Sequence, residues 1–448
     1  MFLEEIRQNS ARLGERPALC AGEEQISWGA LWPRAESLAA RLRAEGEGPV
    51  AVLGVREVWV PAAFLACLIA GRPYLPLDPA LPAARRRVLL ERTGARPLTR
   101  ADWEAAVPGG RCPAAEAPEG IAYLLFTSGS TGVPKQVAVS RRNLEHFLRW
   151  ARSLPGVAGT AGRGVLGQAA LSFDLSVADV YLSLTMGGVH TTLTAGELGD
   201  FRTLFRRLEE AGPALLVGTP SFLRLCLRDA AFAPARLPGL RTVFSCGEAL
   251  PPRTAGQLLE RFPGLTLLNA YGPTEATCAV SAVAITREMC ARPLPIGRMG
   301  EGAVELSLED GEIVLRGESV APAYGGVYPT GDLGHVENGL LYFDGRRDDQ
   351  IKYRGYRIEP AEIEATLESL PGVERACVLP RRAGGQVWGL TAFVETGQRL
   401  RPEALAGALA RRLPAYLIPG EWRFSASLPL TPNGKCDRKR LEEQMYGA

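Results

Sequence analysis

The sequence has 448 residues, more than one hydrophobic core usually organises, so we expect at least two domains. Hydrophobic residues make up 46% and charged residues 22%, which is ordinary for a soluble globular protein. The 51 basic and 49 acidic residues give a net charge of +2, and this balance argues against nucleic acid or an anionic membrane as the main partner.

The cysteines and histidines exclude further classes. The nine cysteines are scattered and lack C-x-x-C spacing, so neither a disulfide framework nor a zinc cluster fits. None of the three histidines is spaced as a ligand pair. The acidic start resembles no signal peptide, and the longest apolar run, Trp59–Ala70, is shorter than the roughly 20 residues that span a bilayer. We therefore expect a cytoplasmic protein without a membrane partner.

Strand and helix signals alternate along the first 300 residues. Apolar spacing predicts a helix over 27–46, a short buried strand over 50–55 and a buried helix over 59–70. The stretch 102–120 is rich in Ala, Pro and Gly and is predicted to be a surface connection. The alternation predicts an α/β fold of parallel sheets covered by helices.

After residue 300 the pattern changes. Strand-like segments at 303–308, 312–316 and 340–343 predict a small β subdomain. A charged run then precedes a helix over 360–370 and a strand over 376–379, which begin a compact α+β tail. We predict a large N-terminal domain over 1–347 and a small C-terminal domain over 348–448.

An apolar strand, 121–126, leads into a loop of small and hydroxylated residues. The loop consists of Thr127, Ser128, Gly129, Ser130, Thr131 and Gly132, followed by Val133, Pro134 and Lys135. Bare amides, hydroxyls and a lysine suit a polyphosphate. The Gly-Lys-Ser/Thr ending of a Walker A loop is missing. The alternative is a flexible Ser/Gly linker.

Two motifs place single acids in special surroundings. Asp174 lies in an apolar stretch, where a carboxylate needs either a cationic partner or a role as a helix N-cap, and the residues alone leave both open. The segment 269–277, NAYGPTEAT, offers a flat ring that can stack on adenine and a carboxylate, Glu275, that can carry Mg²⁺.

Two later motifs carry charge. YPTGDLG, over 328–334, ends a predicted strand with Asp332, and a carboxylate can accept hydrogen bonds from a ribose diol; the alternative is a solvated turn. PLTPNGKCDRKRL, over 429–441, presents Lys435 on a Pro-Asn-Gly turn, where a solvated tail is the alternative.

Taken together, the motifs resemble those of the adenylate-forming enzymes, in family order over roughly residues 15–445. The likeness is strongest to stand-alone amino-acid adenylation enzymes, especially D-alanine–carrier-protein ligases. It implies that ATP and Mg²⁺ are used to make an aminoacyl-AMP, and that the acyl group then passes to the phosphopantetheine thiol of a carrier protein.

The resemblance also implies roles for individual residues. It makes Lys435, Thr127, Thr274 and Glu275 catalytic, with Glu275 holding the metal. It places ATP against Thr127, Ser128, Gly129, Ser130, Thr131, Gly132, Lys135, Asn269, Ala270, Tyr271, Gly272, Thr274, Asp332, Arg346 and Lys435. It implies that Asp348 is a hinge about which a mobile C-terminal domain rotates. It also implies that the backbone around Gly355 lines a tunnel for the phosphopantetheine thiol.

For the amino acid, the resemblance implies that Asp174 binds the α-ammonium group of the substrate and that Phe173 is an aromatic gate beside it. The substrate would lie among Asp174, Leu175, Ala178, Ser221, Phe244, Cys246, Gly247, Ala270, Cys278, Ala279 and Lys435. Phe244 beside Leu175 predicts a shallow pocket fit for a methyl side chain. The cysteine at 246 favours D-alanine, although one pocket residue leaves the choice between D- and L-alanine open.

Three departures from the family pattern stand out: Gln136 replaces the usual Gly after the loop lysine, the connections around 297–311 and 317–328 are short, and 382–388 makes an excursion. Two rival functions stay open. An acyl-CoA ligase would not need Asp174, and an inactive nucleotide-binding homologue is compatible with Gln136. A peptide-synthetase fragment is a weaker alternative.

Overall fold

The computed structural model describes residues 2–114, 120–127, 134–353, 355–383, 386–431 and 436–446. The chain divides into two compact units. The first consists of Met1–Pro79, Thr93–Leu125 and Val137–Arg347, and the second of Ala80–Arg92, Phe126–Gln136 and Asp348–Ala448. The predicted boundary at residue 348 stays a prediction.

The described residues form the following elements. The helices are α1 (Phe2–Leu13), α2 (Trp28–Glu45), α3 (Trp59–Ala70), α4 (Ala83–Thr93), α5 (Arg100–Glu104), α6 (Arg141–Ser153), α7 (Leu175–Thr185), α8 (Ala195–Gly199), α9 (Phe201–Ala211), α10 (Pro220–Cys226), α11 (Pro252–Arg261), α12 (Pro360–Glu368), α13 (Pro402–Ala410) and α14 (Arg438–Tyr446). The strands are β1 (Pro17–Ala21), β2 (Glu24–Ser27), β3 (Val50–Leu53), β4 (Tyr74–Leu77), β5 (Arg96–Leu98), β6 (Ile121–Thr127), β7 (Lys135–Ser140), β8 (Gly164–Gly167), β9 (Val189–Thr192), β10 (Leu215–Gly218), β11 (Thr242–Ser245), β12 (Thr266–Tyr271), β13 (Ser281–Ala284), β14 (Gly297–Arg298), β15 (Glu305–Glu309), β16 (Glu312–Arg316), β17 (Val327–Glu337), β18 (Leu340–Arg346), β19 (Ile351–Tyr353), β20 (Tyr356–Ile358), β21 (Arg375–Ala383), β22 (Gln386–Glu395) and β23 (Glu421–Ser425).

The largest sheet among the described residues has the strand order β13-β12-β11-β10-β8-β9-β1-β2. Its central strands β12, β11, β10, β8 and β9 run parallel, and antiparallel β13 and β2 close the two edges. The central strands are buried nearly throughout, as expected of a parallel sheet that is covered on both faces. The carboxyl ends of the neighbouring parallel strands β8, β10, β11 and β12 therefore lie at one edge of the sheet. Open α/β sheets bind ligands at this edge.

A second sheet has the order β5-β3-β4-β6-β7. Helix α3, predicted over the same residues, is buried along its whole length and ends at Gly71, whose φ of 80° is left-handed. Helix α6 begins with a capping box, because Ser140 accepts the Asn143 amide and the Asn143 side chain accepts the Ser140 amide. Helices α3 and α7 contribute to one apolar core, which also contains most of the residues that were predicted to line the substrate pocket.

The β subdomain is an antiparallel sheet, β14-β18-β17-β16-β15, as the short strands predicted. One detail differs. Asp332 lies inside β17 rather than at a strand end, because the strand continues to Glu337 past an irregularity at Leu333–Gly334. Asp332 is 2% exposed, so the alternative of a solvated turn is wrong.

The second unit has its own core. Its described strands form the hairpin β19–β20 and the sheet β21-β22-β23, with α12, α13 and α14 alongside. Apolar residues from these elements form two clusters, around Ile363 and around Cys377. Within this unit, the guanidinium of Arg85 on α4 lies 2.6 Å from the carboxylate of Glu362 on α12.

The predicted mixed α/β fold, with parallel sheets and a smaller α+β part, is confirmed. Individual bounds move by a few residues: the strand predicted over 50–55 ends at Leu53, and the helix predicted to end at 370 ends at Glu368. The connection predicted over 102–120 contains the end of helix α5 and the buried Cys112. Throughout the described ranges, every helix is too short or too polar to span a bilayer.

Candidate active site

Most predicted substrate residues follow the carboxyl ends of β8, β10, β11 and β12. Asp174 comes after β8, Ser221 after β10, Cys246 after β11 and Cys278 after β12. These strands are neighbours and parallel, so their carboxyl ends converge. The fold thereby gathers residues that are widely separated in the sequence at one edge of the sheet.

Asp174 precedes the first residue of α7 but does not cap the helix. Its backbone is helical, with φ −60° and ψ −31°, and its side chain makes no capping hydrogen bond. Instead, the hydroxyl of Thr274 donates to Asp174 Oδ2 at 2.6 Å. The N-cap alternative is therefore wrong, and the half-buried carboxylate faces the turn after β12.

The predicted side-chain pocket coincides with one part of the apolar core. A single cluster of buried side chains contains Leu175, Ala178, Phe244, Cys246, Ala270, Cys278 and Ala279, and half-buried Phe173 packs against it. Burial raises the pKa of the Cys278 thiol well above its usual value, and the nearby Cys246 and Asp174 add to the effect. The Cys278 thiol is therefore expected to be neutral and to act as a small apolar group.

Ser221 is held by a neighbour that the sequence did not suggest. Its amide and its hydroxyl both donate to Glu248 Oε2, at 3.0 and 2.6 Å. Glu248 follows Gly247, whose φ of 93° a side chain would strain. The serine hydroxyl proton is thus committed to Glu248.

Asp332 contacts both Tyr271 and Arg346, and all three residues were predicted to bind the nucleoside. The Tyr271 hydroxyl donates to Asp332 Oδ2 at 2.6 Å, and the Arg346 guanidinium pairs with Asp332 Oδ1. Asp332 and Arg346 are directly opposite each other on β17 and β18. Burial and the Asp332 carboxylate raise the pKa of Tyr271 well above its usual value, which keeps the phenol protonated as a donor.

The turn after β12 is tightly closed. A Cβ on Gly272 would come within 2.7 Å of the Ala279 Cα, so only glycine fits there. Thr277 and Cys278 both have positive φ, 65° and 68°, which is unusual for residues other than glycine. The neighbouring Asn269 donates from Nδ2 to the Pro295 carbonyl at 2.8 Å. Backbone strain of this kind clusters at functional sites.

Glu275 lies in the same turn and is fully buried. Its backbone carbonyl accepts the Ala321 amide, which fixes the turn. Among the described residues no group of three or more His, Cys, Asp or Glu side chains could hold a metal. The donor set fits Mg²⁺ bound by one carboxylate together with substrate phosphates, and not a metal held by protein ligands alone.

Several predicted residues of the phosphate loop and the tail lie outside the described ranges: Ser128, Gly129, Ser130, Thr131, Gly132 and Lys435. Thr127 ends β6 with its hydroxyl buried and without a hydrogen-bond partner among the described residues, whereas Lys135 begins β7 with an exposed side chain. In the second unit, Asp348 accepts the Gln350 amide at 3.3 Å. Gly355 turns the β19–β20 hairpin with φ 83°.

Sequence reasoning missed Glu248 and a second acid on α7, Asp179. Asp179 contacts His190, one of the three histidines that had been set aside because they are not spaced as metal ligands. An acid within an apolar helix was the available signal, since such a group needs a partner.

Comparison with known proteins identifies the family. The model of the AMP-binding enzymes matches residues 6–106 and 97–325, and that of their C-terminal domain matches residues 362–435. The chain belongs to the AMP-binding enzyme family, and the predicted membership among adenylate-forming enzymes is confirmed.

Curated relatives narrow the comparison. The chain is 34% identical to a D-alanine–D-alanyl carrier protein ligase of Bacillus licheniformis, over 99% of either sequence. It is equally similar to the ligase of the same name from Bacillus cereus, over 98% of each.

Solved structures share the fold. The Vibrio cholerae adenylation domain AlmE, in complex with glycyl-adenosine-5'-phosphate, superposes with a TM-score of 0.85 at 22% identity, covering 100% of this chain and 98% of that one. An NRPS protein containing adenylation and PCP domains reaches 0.83 at 25% identity, over 99% and 84%.

Proposed function

We propose that this protein activates a small amino acid, with alanine favoured, as an aminoacyl-AMP and transfers it to the phosphopantetheine thiol of a carrier protein. The observation that carries the proposal is the placement of Asp174. A half-buried carboxylate at the start of α7, next to an apolar cluster of small and medium side chains, suits an ammonium group beside a methyl group. The 34% identity to D-alanine–D-alanyl carrier protein ligases supports the same substrate class.

The first half-reaction joins two anions. An oxygen of the amino acid carboxylate attacks the α-phosphorus of ATP, a new P–O bond forms, and the bond to the β-phosphate oxygen breaks to release pyrophosphate. No general base is required, because the nucleophile is already ionised. Catalysis then consists of orientation and charge neutralisation, which we assign to Lys435 together with the hydroxyls of Thr127 and Thr274.

Thr274 connects the two substrates in this scheme. Its hydroxyl has one proton, which it donates to Asp174 in this structure. When a substrate ammonium group pairs with Asp174, the hydroxyl becomes able to donate to the α-phosphate instead. Amino acid binding would thereby prepare the nucleotide site.

Glu275 would hold Mg²⁺ through its carboxylate, and the metal would supply charge to the phosphates. Asp332, assisted by Arg346, would bind the ribose hydroxyls, and Tyr271 would stack on the adenine ring.

In the second half-reaction, the pantetheine sulfur attacks the carbonyl carbon of the adenylate. The thiol proton is lost to solvent, and AMP leaves. We assign the pantetheine tunnel to the backbone around Gly355 and the reorientation between half-reactions to a hinge at Asp348. A cytoplasmic location, where carrier protein, ATP and Mg²⁺ meet, completes the proposal.

The test is amino-acid-dependent exchange of pyrophosphate into ATP, with D-alanine, L-alanine, glycine, L-serine and L-leucine in parallel. We expect exchange with one or both alanines and little with leucine. The second step is tested by loading of a phosphopantetheinylated carrier protein, which is measured from the intact mass of the carrier. Coenzyme A is added as a competing acceptor. No exchange with any amino acid, in protein that binds ATP, would leave the acyl-CoA ligase or the inactive homologue. Faster turnover of leucine than of alanine would refute the shallow pocket.

A further inference from the structure

Asp179 and His190 form a buried contact that the proposed chemistry does not use. His190 Nε2 lies 2.9 Å from Asp179 Oδ1, and each side chain is 1% exposed. The hydroxyl of Thr192 lies 3.5 Å from the other ring nitrogen. Asp179 Oδ2 is buried without a hydrogen-bond partner among the described residues. The contact joins the middle of α7 to β9.

The Asp179 carboxylate also rests on the end of β8. A Cβ added to Gly167 would come within 2.1 Å of Asp179 Oδ2, so the carboxylate occupies the space that a side chain at 167 would need. Gly167 is the last residue of β8, and the chain runs from there through Gln168 to Asp174. Gln168 Oε1 in turn lies 3.3 Å from the Thr219 amide, at the residue that caps α10. The Asp179 carboxylate therefore contacts β9 through His190 and lies against the last residue of β8, from which the chain runs on to Asp174.

Stability alone gives no reason for an ionisable pair in this position. Replacing a buried ionic pair by apolar residues of similar size is often neutral or stabilising. Burial raises the pKa of Asp179, with the His190 hydrogen bond opposing that rise, so ionisation of the acid is costly here. The helix has other directional contacts, since the Tyr181 hydroxyl donates to the Tyr74 hydroxyl and the Asn9 side chain donates to the Leu184 and Thr185 carbonyls. The contact between Asp179 and His190 lies nearer to Asp174 along the helix than these do, and it joins α7 to β9.

We propose that Asp179 and His190 are positioning residues for the amino acid site: they fix the start of α7, and so place Asp174 and Ala178, without touching the substrate. This inference rests on the proposed function, since it assumes that Asp174 receives the ammonium group. It assigns the pair an effect on amino acid affinity and none on nucleotide affinity.

The test compares Asp179→Asn and His190→Gln with the unchanged protein in pyrophosphate exchange, varying alanine and ATP separately. Asp179→Asn keeps the shape of the side chain and removes its charge. We expect the KM for alanine to rise about tenfold in each variant, with the KM for ATP unchanged, because small displacements far from the reacting atoms weaken substrate orientation. The double variant should be no worse than the poorer single one, because both changes alter the same contact.

Ser183→Ala is the matched control. Ser183 lies on the same helix, is fully buried, and its hydroxyl has no hydrogen-bond partner among the described residues, so both KM values should stay unchanged. An unchanged KM for alanine in both pair variants, an equal loss for alanine and ATP, or failure of both variants to fold would assign the pair a purely structural role and overturn the proposal. Absence of exchange in the unchanged protein would instead overturn the proposed function itself.

Discussion

Helix α7 carries two aspartates whose surroundings differ. Asp174, directly before the first residue of the helix, is half-buried and accepts a hydrogen bond from the Thr274 hydroxyl. Asp179, in the middle, is 1% exposed and contacts a histidine that is equally buried. The first can exchange its hydroxyl partner for a ligand, whereas the second would need the helix to move before any ligand could reach it. Accessibility therefore separates the carboxylate that we propose to bind substrate from the one that we propose to position the site.

The sharpest way to break this comparison is Asp174→Asn. The change removes the negative charge proposed to pair with the substrate ammonium group, and loss of one partner of a desolvated charge pair costs about 2–5 kcal/mol. We expect alanine-dependent exchange to fall at least about 100-fold. The affinity for ATP, measured by calorimetry, should stay unchanged.

Ser183→Ala on the same helix again serves as the control and should keep full exchange. An Asp174→Asn protein that exchanges at the original rate would contradict the role of Asp174 and favour the acyl-CoA ligase.

Asp332→Asn extends the comparison to a carboxylate that is as buried as Asp179 but contacts Tyr271 and Arg346. Hydrogen bonds to charged groups contribute about 1.5–3 kcal/mol, so we expect the KM for ATP to rise about 10- to 100-fold while the KM for alanine stays constant. Steady-state exchange at varied ATP concentration measures this.

Asp344→Asn is the control for Asp332. Asp344 lies on the neighbouring strand β18, is exposed, and contacts His335 at 2.8 Å. A similar rise in KM in both variants would remove Asp332 from the nucleotide site.

Cys246→Ala probes the apolar side of the site that Asp174 borders. Since Cys246 and Cys278 lie in one buried cluster, removal of the sulfur leaves a gap in the pocket that we propose for the substrate methyl group. A methylene-sized change in such a pocket alters discrimination by about 1–3 kcal/mol. We expect the preference between D- and L-alanine, as a ratio of kcat/KM values, to fall about tenfold.

Cys226→Ala is the matched control. Cys226 is a buried cysteine at the end of α10, and it belongs to a different core cluster from Cys246. The Cys246 prediction fails if both variants keep the original preference for one enantiomer.

The smallest effect concerns pH. Burial raises the pKa of Asp179, with His190 and Arg56 opposing, so the native state holds this proton more tightly than the unfolded chain. The associated stability is fully present below about pH 4 and is lost as pH rises through the raised pKa. Between pH 4 and pH 7, the urea midpoint of Asp179→Asn should therefore rise relative to that of the unchanged protein.

Asp200→Asn should show the opposite trend, because hydrogen bonds from Thr203 lower the pKa of Asp200. That group contributes stability above its unfolded pKa and loses it as pH falls. Equal responses of the Asp179 and Asp200 variants would contradict the assigned surroundings of Asp179.

The sequence was sufficient for the elements whose signals are local. Helix α3 has an apolar run and a terminal glycine, and its predicted bounds are those of the structure. Strand β17 was harder, because it continues past an irregularity at Leu333–Gly334 where the Gly and Asp residues suggested an end.

The candidate site also has features that the sequence predicted and features that it did not. Motifs indicated the residue types, since an ammonium group, a ribose and phosphates each require particular side chains. The pairings were not visible: Asp174 and Thr274 are 100 residues apart, and the two meet only because β8 and β12 end at the same edge of one sheet. Asp179 and His190 are 11 residues apart, but their contact depends on how α7 packs on β9.

The most direct measurement compares alanine with propionate, which differs from alanine only by the missing ammonium group, in pyrophosphate exchange by the unchanged protein. If Asp174 pairs with that ammonium group, alanine at equal concentration should support exchange at least about 100-fold faster than propionate. Exchange with propionate at a similar or higher rate would contradict amino acid activation and identify an acyl-activating enzyme instead.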